Sequence, residues 1–380
     1  MPPASGPEPD LSPLWSRLRE GQVWILARAR PGLGRLTEAL ALMGLLESAG
    51  AELRLLTSPE AAPLARRMFR GPVSEFTLAG GPDPQQAVID SRDLQRLLSS
   101  LSRARPAALV VHGYPLLLPL LRRAFSGRLV AMANLHDLSS PGHSAGARLL
   151  ASQLHAAADL VLVGELRRGV RLERLGPTPV LRLPTLVRPE LLSAPATSAG
   201  PPVAVLGGGS RGDRGLSESN RRILDRLEAA VGAGELQSCR VFPGEEVDPR
   251  RHPHLRPGMD RAGYARHLLA AELAVARAGR SSMAELLALG RRAVVIPARS
   301  DTLRGLEQLA NATRAAALSP AIRVLELREL GRLGSALEEV RRAQPRSWSP
   351  GNDYVLERLT ASALSAARAA APGRRAGARP

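Results

Sequence analysis

The run AELAVARAGRSSMAELLALGRRAVVIPARSDTLRGLEQLAN, residues 271–311, decides the fold. It predicts a buried strand over 273–276, a turn through Arg277, Ala278 and Gly279, and a helix opened by Ser281 or Ser282. A second strand over 293–296 and a polar loop follow. Strand, turn, helix, strand is the repeat of a parallel α/β sheet. The first N–H groups of such a helix have no intrahelical acceptor, so they can face an anion. Glu285 on the helix and Gln308 and Asn311 beyond the second strand can converge on the same ligand. Ser282-Met-Ala-Glu285 is also an S-x-x-E capping box, in which the glutamate serves only its own helix terminus.

Two further turns share this form. VAVLGGGSRG at 203–212 is an apolar strand running into Gly208, Gly209 and Ser210 before a helix expected near Ser217; glycines there let backbone approach phosphate. VWILARA at 23–29 runs into Pro31-Gly32-Leu33-Gly34-Arg35, then an apolar-periodic helix over 36–49 that Gly50 ends, then the strand AELRLLT at 51–57. Later strands of the first half end in Val111-His112-Gly113 and Asn134-Leu135-His136-Asp137. In a parallel sheet those ends line the cleft, which makes His112, His136 and Asp137 the candidate bases.

These motifs, in this order, resemble those of GT-B glycosyltransferases, and most nearly the lipid II-forming family of UDP-N-acetylglucosamine transferases. In that family a run R-A-G-x-S-x-x-A-E, followed by Q-x-x-N-A, holds the nucleotide sugar; here these are Arg277 to Glu285 and Gln308 to Ala312. The resemblance implies two Rossmann-like domains facing a cleft, with Glu285 accepting from the ribose hydroxyls and Gly279, Ser281 and Ser282 meeting phosphate. Gln308 and Asn311 would face the sugar. Gly208, Gly209 and Ser210 match the family's G-G-S-x-G loop, and Arg188, in Leu186-Val187-Arg188-Pro189, stands where an arginine reaches the phosphates. Gly32 and Gly34 belong to the loop that faces the reacting sugar. That loop often ends in histidine, and here Arg35 stands in its place; an arginine cannot act as a base, although it can bind phosphate.

The implied activity is transfer of a sugar from a nucleotide sugar, a UDP-sugar by the resemblance, to a hydroxyl or lipid-linked acceptor with inversion, without a cofactor or a required metal. Alternatives on the same pocket are hydrolysis or epimerisation of a UDP-sugar, or a non-catalytic nucleotide-binding partner of another transferase. The expected organisation is a disordered 1–10, an acceptor-side domain over 11–188, a linker over 189–202, a nucleotide-sugar domain over 203–345, a crossing helix within 346–371 and a disordered tail over 372–380.

Composition agrees with this class. A chain of 380 residues exceeds the size at which one core keeps growing, and 44% hydrophobic residues suffice for two cores. The formal net charge of +17 invites a nucleic-acid reading, yet the chain contains no lysine and its arginines are dispersed without an aromatic-basic motif. No run reaches the roughly twenty apolar residues of a membrane span. A cytoplasmic protein is expected, with PLLLPLLRRAF at 115–125 either packed on the sheet or touching the inner face of a membrane. The single Cys239 excludes an internal disulfide, and His252 with His254 is a weak metal pattern.

Overall fold

The computed structural model describes residues 10–28, 34–76, 78–79, 88–89, 91–134, 138, 144–193, 197, 200–206, 214–242, 246–258, 261–298 and 303–370. Two parallel sheets carry the fold. The first is built from β1 (Gln22–Ala27), β2 (Glu52–Thr57), β3 (Val73–Glu75), β6 (Ala108–His112), β7 (Arg128–Asn134), β8 (Leu160–Glu165), β9 (Arg171–Leu175) and β10 (Thr178–Pro184), with β4 (Leu78–Ala79) and β5 (Val88–Ile89) forming a separate pair. Its order is β3-β2-β1-β6-β7-β8-β10-β9, parallel except for the β9–β10 hairpin. The second sheet orders β11 (Val203–Val205), β12 (Cys239–Phe242), β13 (Leu255–Pro257), β14 (Leu273–Ala276), β15 (Arg292–Val295) and β16 (Ile322–Val324) as β13-β12-β11-β14-β15-β16, all parallel.

The strands are nearly continuous apolar runs because helices cover both faces. In β1 every residue after Gln22 is buried, as is every residue of β6, β11 and β14. The helix Gly34–Ser48 is apolar almost all round for the same reason: it lies between the first sheet and the C-terminal helix, and Gly50, at φ +92°, ends it.

Strand order reverses beside β1 in the first sheet and beside β11 in the second, and ligands of doubly wound folds bind outside the carboxyl ends of strands at such points. Those ends are Ala27 and His112 on one side and Val205 and Ala276 on the other.

The C-terminal helix Asn352–Ala370 packs on the helices Ser12–Arg19 and Gly34–Ser48, and Val355 and Leu359 are buried in the first domain's core. Asn352 pins the crossing: its Oδ1 accepts from the Val187 N–H at 2.9 Å and its Nδ2 donates to the Val187 carbonyl at 2.6 Å. Trp348, packed in the second domain, donates to the Arg167 carbonyl of the first at 2.8 Å.

Two local readings shift. The glycine-rich turn at 207–213 lies outside the described residues, and the helix after it starts at Arg214, ahead of Ser217. Within the stretch expected as a linker, Pro189–Leu192 forms a short helix with Leu191 buried, and it follows the buried run Thr185, Leu186, Val187 and Arg188.

Candidate functional site

The helix after β14 begins at Arg280, with Gly279 as its N-cap and no side-chain hydrogen bond to the cap. Ser282 therefore lies inside the first turn, and the S-x-x-E capping box does not form. The reason is local: Gly279 already holds the extended backbone that an N-cap needs (φ −65°, ψ 136°), so the helix starts ahead of both serines. An uncapped first turn at the end of a parallel strand is an anion seat.

Glu285 is buried, and its carboxylate points across the domain seam instead of back along its helix. Oε1 accepts from Arg188 Nε at 3.0 Å and Oε2 from the Tyr264 hydroxyl at 2.8 Å. The Arg188 guanidinium lies 5.1 Å from the centre of the Tyr264 ring, a cation–π contact. Burial works against the charge of Arg188, but Glu285, Tyr264 and Glu190 outweigh it and hold its pKa above the usual value. A carboxylate has about four acceptor positions, so two remain for further donors such as a diol. Arg188, expected from the resemblance to reach the phosphates, is here a buried partner of the motif glutamate. Tyr264 was not foreseen; it lies in a helix of unremarkable pattern, Arg261–Ala270.

Asn311, also buried, donates from Nδ2 to the Ala278 carbonyl at 3.2 Å, and Gln308 Oε1 accepts from the Ala298 N–H at 2.8 Å. Both residues brace backbone around the site: one holds the Arg277-Ala278-Gly279 turn, the other the loop after β15. Arg277 is buried beside that turn.

On the opposite wall stand Gly34 and Arg35 at the start of their helix, with Arg28, Gly113 and Tyr114. Gly113, at φ +88°, must be glycine: a Cβ there would stand 2.6 Å from Arg35 Cδ and 2.9 Å from Arg28 Cβ. Arg28 and Arg35 are drawn together over this position, beside the buried Tyr114. Burial raises the pKa of the Tyr114 phenol to about 12 despite the two arginines, so the hydroxyl stays protonated. Gly32, His136 and Asp137, with Gly208, Gly209 and Ser210, fall outside the described residues.

His112 is fully buried, with Nδ1 2.9 Å from the Met132 carbonyl and Nε2 3.1 Å from Glu38 Oε2. Both ring nitrogens are engaged, and neither opens on the cleft in this arrangement. Among the described residues no group of His, Cys, Asp and Glu could hold a metal ion. His252 instead contacts Asp225 at 3.2 Å, and His254 contacts Glu228, tying a loop to the helix Arg214–Gly232. Cys239 is buried with its thiol pushed up to about 12, so it is an inert core residue. No described helix is long and apolar enough to cross a membrane.

Comparison with known proteins gives this geometry its relatives. Residues 203–350 match the glycosyltransferase family 28 C-terminal domain. The chain is 30% identical over 239 residues to the UDP-N-acetylglucosamine–N-acetylmuramyl-(pentapeptide) pyrophosphoryl-undecaprenol N-acetylglucosamine transferase of Bradyrhizobium diazoefficiens, covering 60% of this chain and 62% of that one. It is 37% identical over 102 residues to the enzyme of the same name from a Synechococcus strain, 26% of this chain and 27% of that one. The match thus spans less than two thirds of the length of these relatives. Acinetobacter baumannii MurG superposes with a TM-score of 0.52 at 15% identity, over 90% of this chain and 99% of that one. Arabidopsis thaliana UGT89C1 complexed with UDP-L-rhamnose gives a TM-score of 0.56 at 15% identity, over 90% and 94%. At such identities the superpositions speak for the fold alone.

Proposed function

From a GT-B fold whose second domain matches the glycosyltransferase family 28 C-terminal domain, we propose that this protein transfers a sugar from a UDP-sugar to a hydroxyl acceptor. The observation that carries the reading is the pair formed by the uncapped turn Gly279–Arg280 and the buried Glu285, whose two remaining acceptor positions suit the ribose hydroxyls. The diphosphate lies on the first turn of the helix Arg280–Ala288, and Arg277 and Arg188 supply positive charge beside it. As the bond from the anomeric carbon to the diphosphate breaks, these groups and the helix N-terminus stabilise the charge that develops on the leaving oxygen.

The acceptor oxygen attacks the anomeric carbon in line, the UDP leaves with the bonding pair, and the configuration inverts. The acceptor proton passes to a base at the strand ends of the first domain. His112 has both nitrogens engaged, so the role is assigned to His136 or Asp137 beyond β7. Arg35 and Arg28 then bind an anionic part of the acceptor. Leu116 just before the helix Leu118–Ala124 and Leu120 within it, with Leu149 and Leu150 on the neighbouring helix Ala145–His155, are exposed apolar groups flanked by Arg123 and Arg148. This face suits an anionic lipid surface, as a lipid-linked acceptor requires.

Calorimetric titration with UDP, GDP and ADP tests the donor, and UDP release with and without a hydroxyl acceptor tests the reaction. UDP is expected to bind most tightly, and its release to depend on the acceptor. Absence of UDP binding defeats the donor assignment; equal release in buffer alone makes the protein a hydrolase.

A further inference from the structure

The helices Gly34–Ser48 and Arg280–Ala288 meet across the domain seam at their N-terminal ends, with the Ser281 hydroxyl 3.4 Å from the Gly34 carbonyl. Two positive helix poles thus stand close together, and Arg28 and Arg35 lie over Gly113 on the first domain's side. Such an arrangement repels itself unless a negative group sits within it. Glu38 supplies that group from the first domain. Arg280, the first residue of its helix, reaches over from the second domain and donates Nη2 to both carboxylate oxygens of Glu38 at 2.5 Å, while Nη1 donates to the Gly164 carbonyl at β8. The Ser281 hydroxyl adds a contact to Glu38 Oε1 at 3.3 Å. Glu38 is 3% exposed and Arg280 9%.

The far side of Glu38 is closed by His112. Its Nδ1 faces the Met132 carbonyl and its Nε2 the Glu38 carboxylate, two acceptors. Burial opposes the charge of Glu38, yet Arg280 and His112 together hold its carboxyl below the usual value. Arg280, Glu38 and His112 thus form an ordered chain of contacts running from one domain into the core of the other.

We propose that Glu38 is a positioning residue for sugar transfer: it bolts Arg280 to His112 and so sets the population of the closed arrangement in which both helix N-termini face one anion. Arg280 occupies the variable position of the R-A-G-x-S run, so the nucleotide motif itself does not require an arginine there. Glu38 lies three residues beyond Arg35, on the helix that follows the first domain's glycine loop. The bolt itself is independent of the donor reading, and its effect on UDP rests on it.

The test uses the full chain, Glu38→Gln, Arg280→Met and the double variant, each followed by thermal melt, small-angle scattering without ligand and UDP calorimetry. Each single variant is expected to raise the radius of gyration. If closure falls to about one tenth, apparent UDP affinity falls about tenfold, and the double variant is no weaker than the weaker single. A purely local structural role would move the melt and leave scattering and affinity where they were. Should Glu38→Gln fail to fold, Arg280→Met carries the comparison, since it leaves the Glu38–His112 pair in place. Unchanged scattering and UDP affinity in a folded single variant overturn the proposal, and so does tighter UDP binding by Glu38→Gln, which would make Glu38 a competitor of the donor. If the parent chain binds no UDP, the donor reading fails and the scattering comparison still decides the bolt.

Discussion

Replacing Glu285 with alanine removes one partner of a pair whose side chains are 5% and 6% exposed, and leaves the Arg188 guanidinium buried without its carboxylate. Breaking a buried ion pair from one side costs about 3–5 kcal/mol, and the Tyr264 hydroxyl loses its acceptor as well. At about 2–4 °C per kcal/mol for a domain of this size, the melting temperature of the second domain should fall by roughly 6–20 °C. A glutamate that only completed a capping box would cost about 1 kcal/mol, or roughly 2–4 °C. Glu285→Gln keeps the volume and one acceptor, and so should lose only about 1–3 kcal/mol. It therefore separates stability from binding: measured well below its melting temperature, it should weaken UDP about tenfold or more, about 1.4 kcal/mol, through loss of charge-assisted acceptance from the ribose. Calorimetry on folded Glu285→Gln and a melt of Glu285→Ala give both numbers. A fall of only 2–4 °C in Glu285→Ala would refute the buried pair, and undiminished UDP affinity in Glu285→Gln would refute the ribose contact.

Stability should also carry the signature of Glu38. Its carboxyl is held below the ordinary value of 4.5, so its contribution is fully present above about pH 4.5 and is lost as pH falls through the lower folded value. The gap in melting temperature between the parent and Glu38→Gln should then narrow as pH falls below about 4.5; a gap that stays constant there contradicts the ion pair. Asn311→Ala removes the donor to the Ala278 carbonyl inside the core and should cost about 1–3 kcal/mol in a melt, with weaker UDP binding through a loosened turn. Preserved stability would show that the turn holds itself. Changing Leu116, Leu120 and Leu149 to serine should reduce co-sedimentation with anionic vesicles while the melting temperature stays within about 1–2 °C, because these side chains are 59%, 46% and 60% exposed. Equal sedimentation would remove the lipid surface from the account.

What was legible in the sequence is what lies close along the chain. β1, the helix Gly34–Ser48 and β2 follow from apolar runs punctuated by glycine, and β14 to β15 from the turn between them, because backbone hydrogen bonding and local propensity are settled within a few residues. The nucleotide motif was legible for the same reason, as short spacing on one strand, turn and helix. Its partners were not. Glu285 meets Arg188 from 97 residues away, and Arg280 meets Glu38 across 242. Nothing in the periodicity of Gly34–Ser48 marks Glu38 as other than a solvated position on an apolar helix. The distinction matters chemically. A capping box and a carboxylate turned to the seam share the letters S-x-x-E, and what separates them here is where the helix begins: Gly279 takes the cap, Ser282 falls inside the turn, and Glu285 is released to face the seam. A helix cap three residues ahead of Ser282 thus converts a local stabiliser into a group shared between two domains, and Arg280 at the first position of that helix is carried into the opposite domain by the same shift.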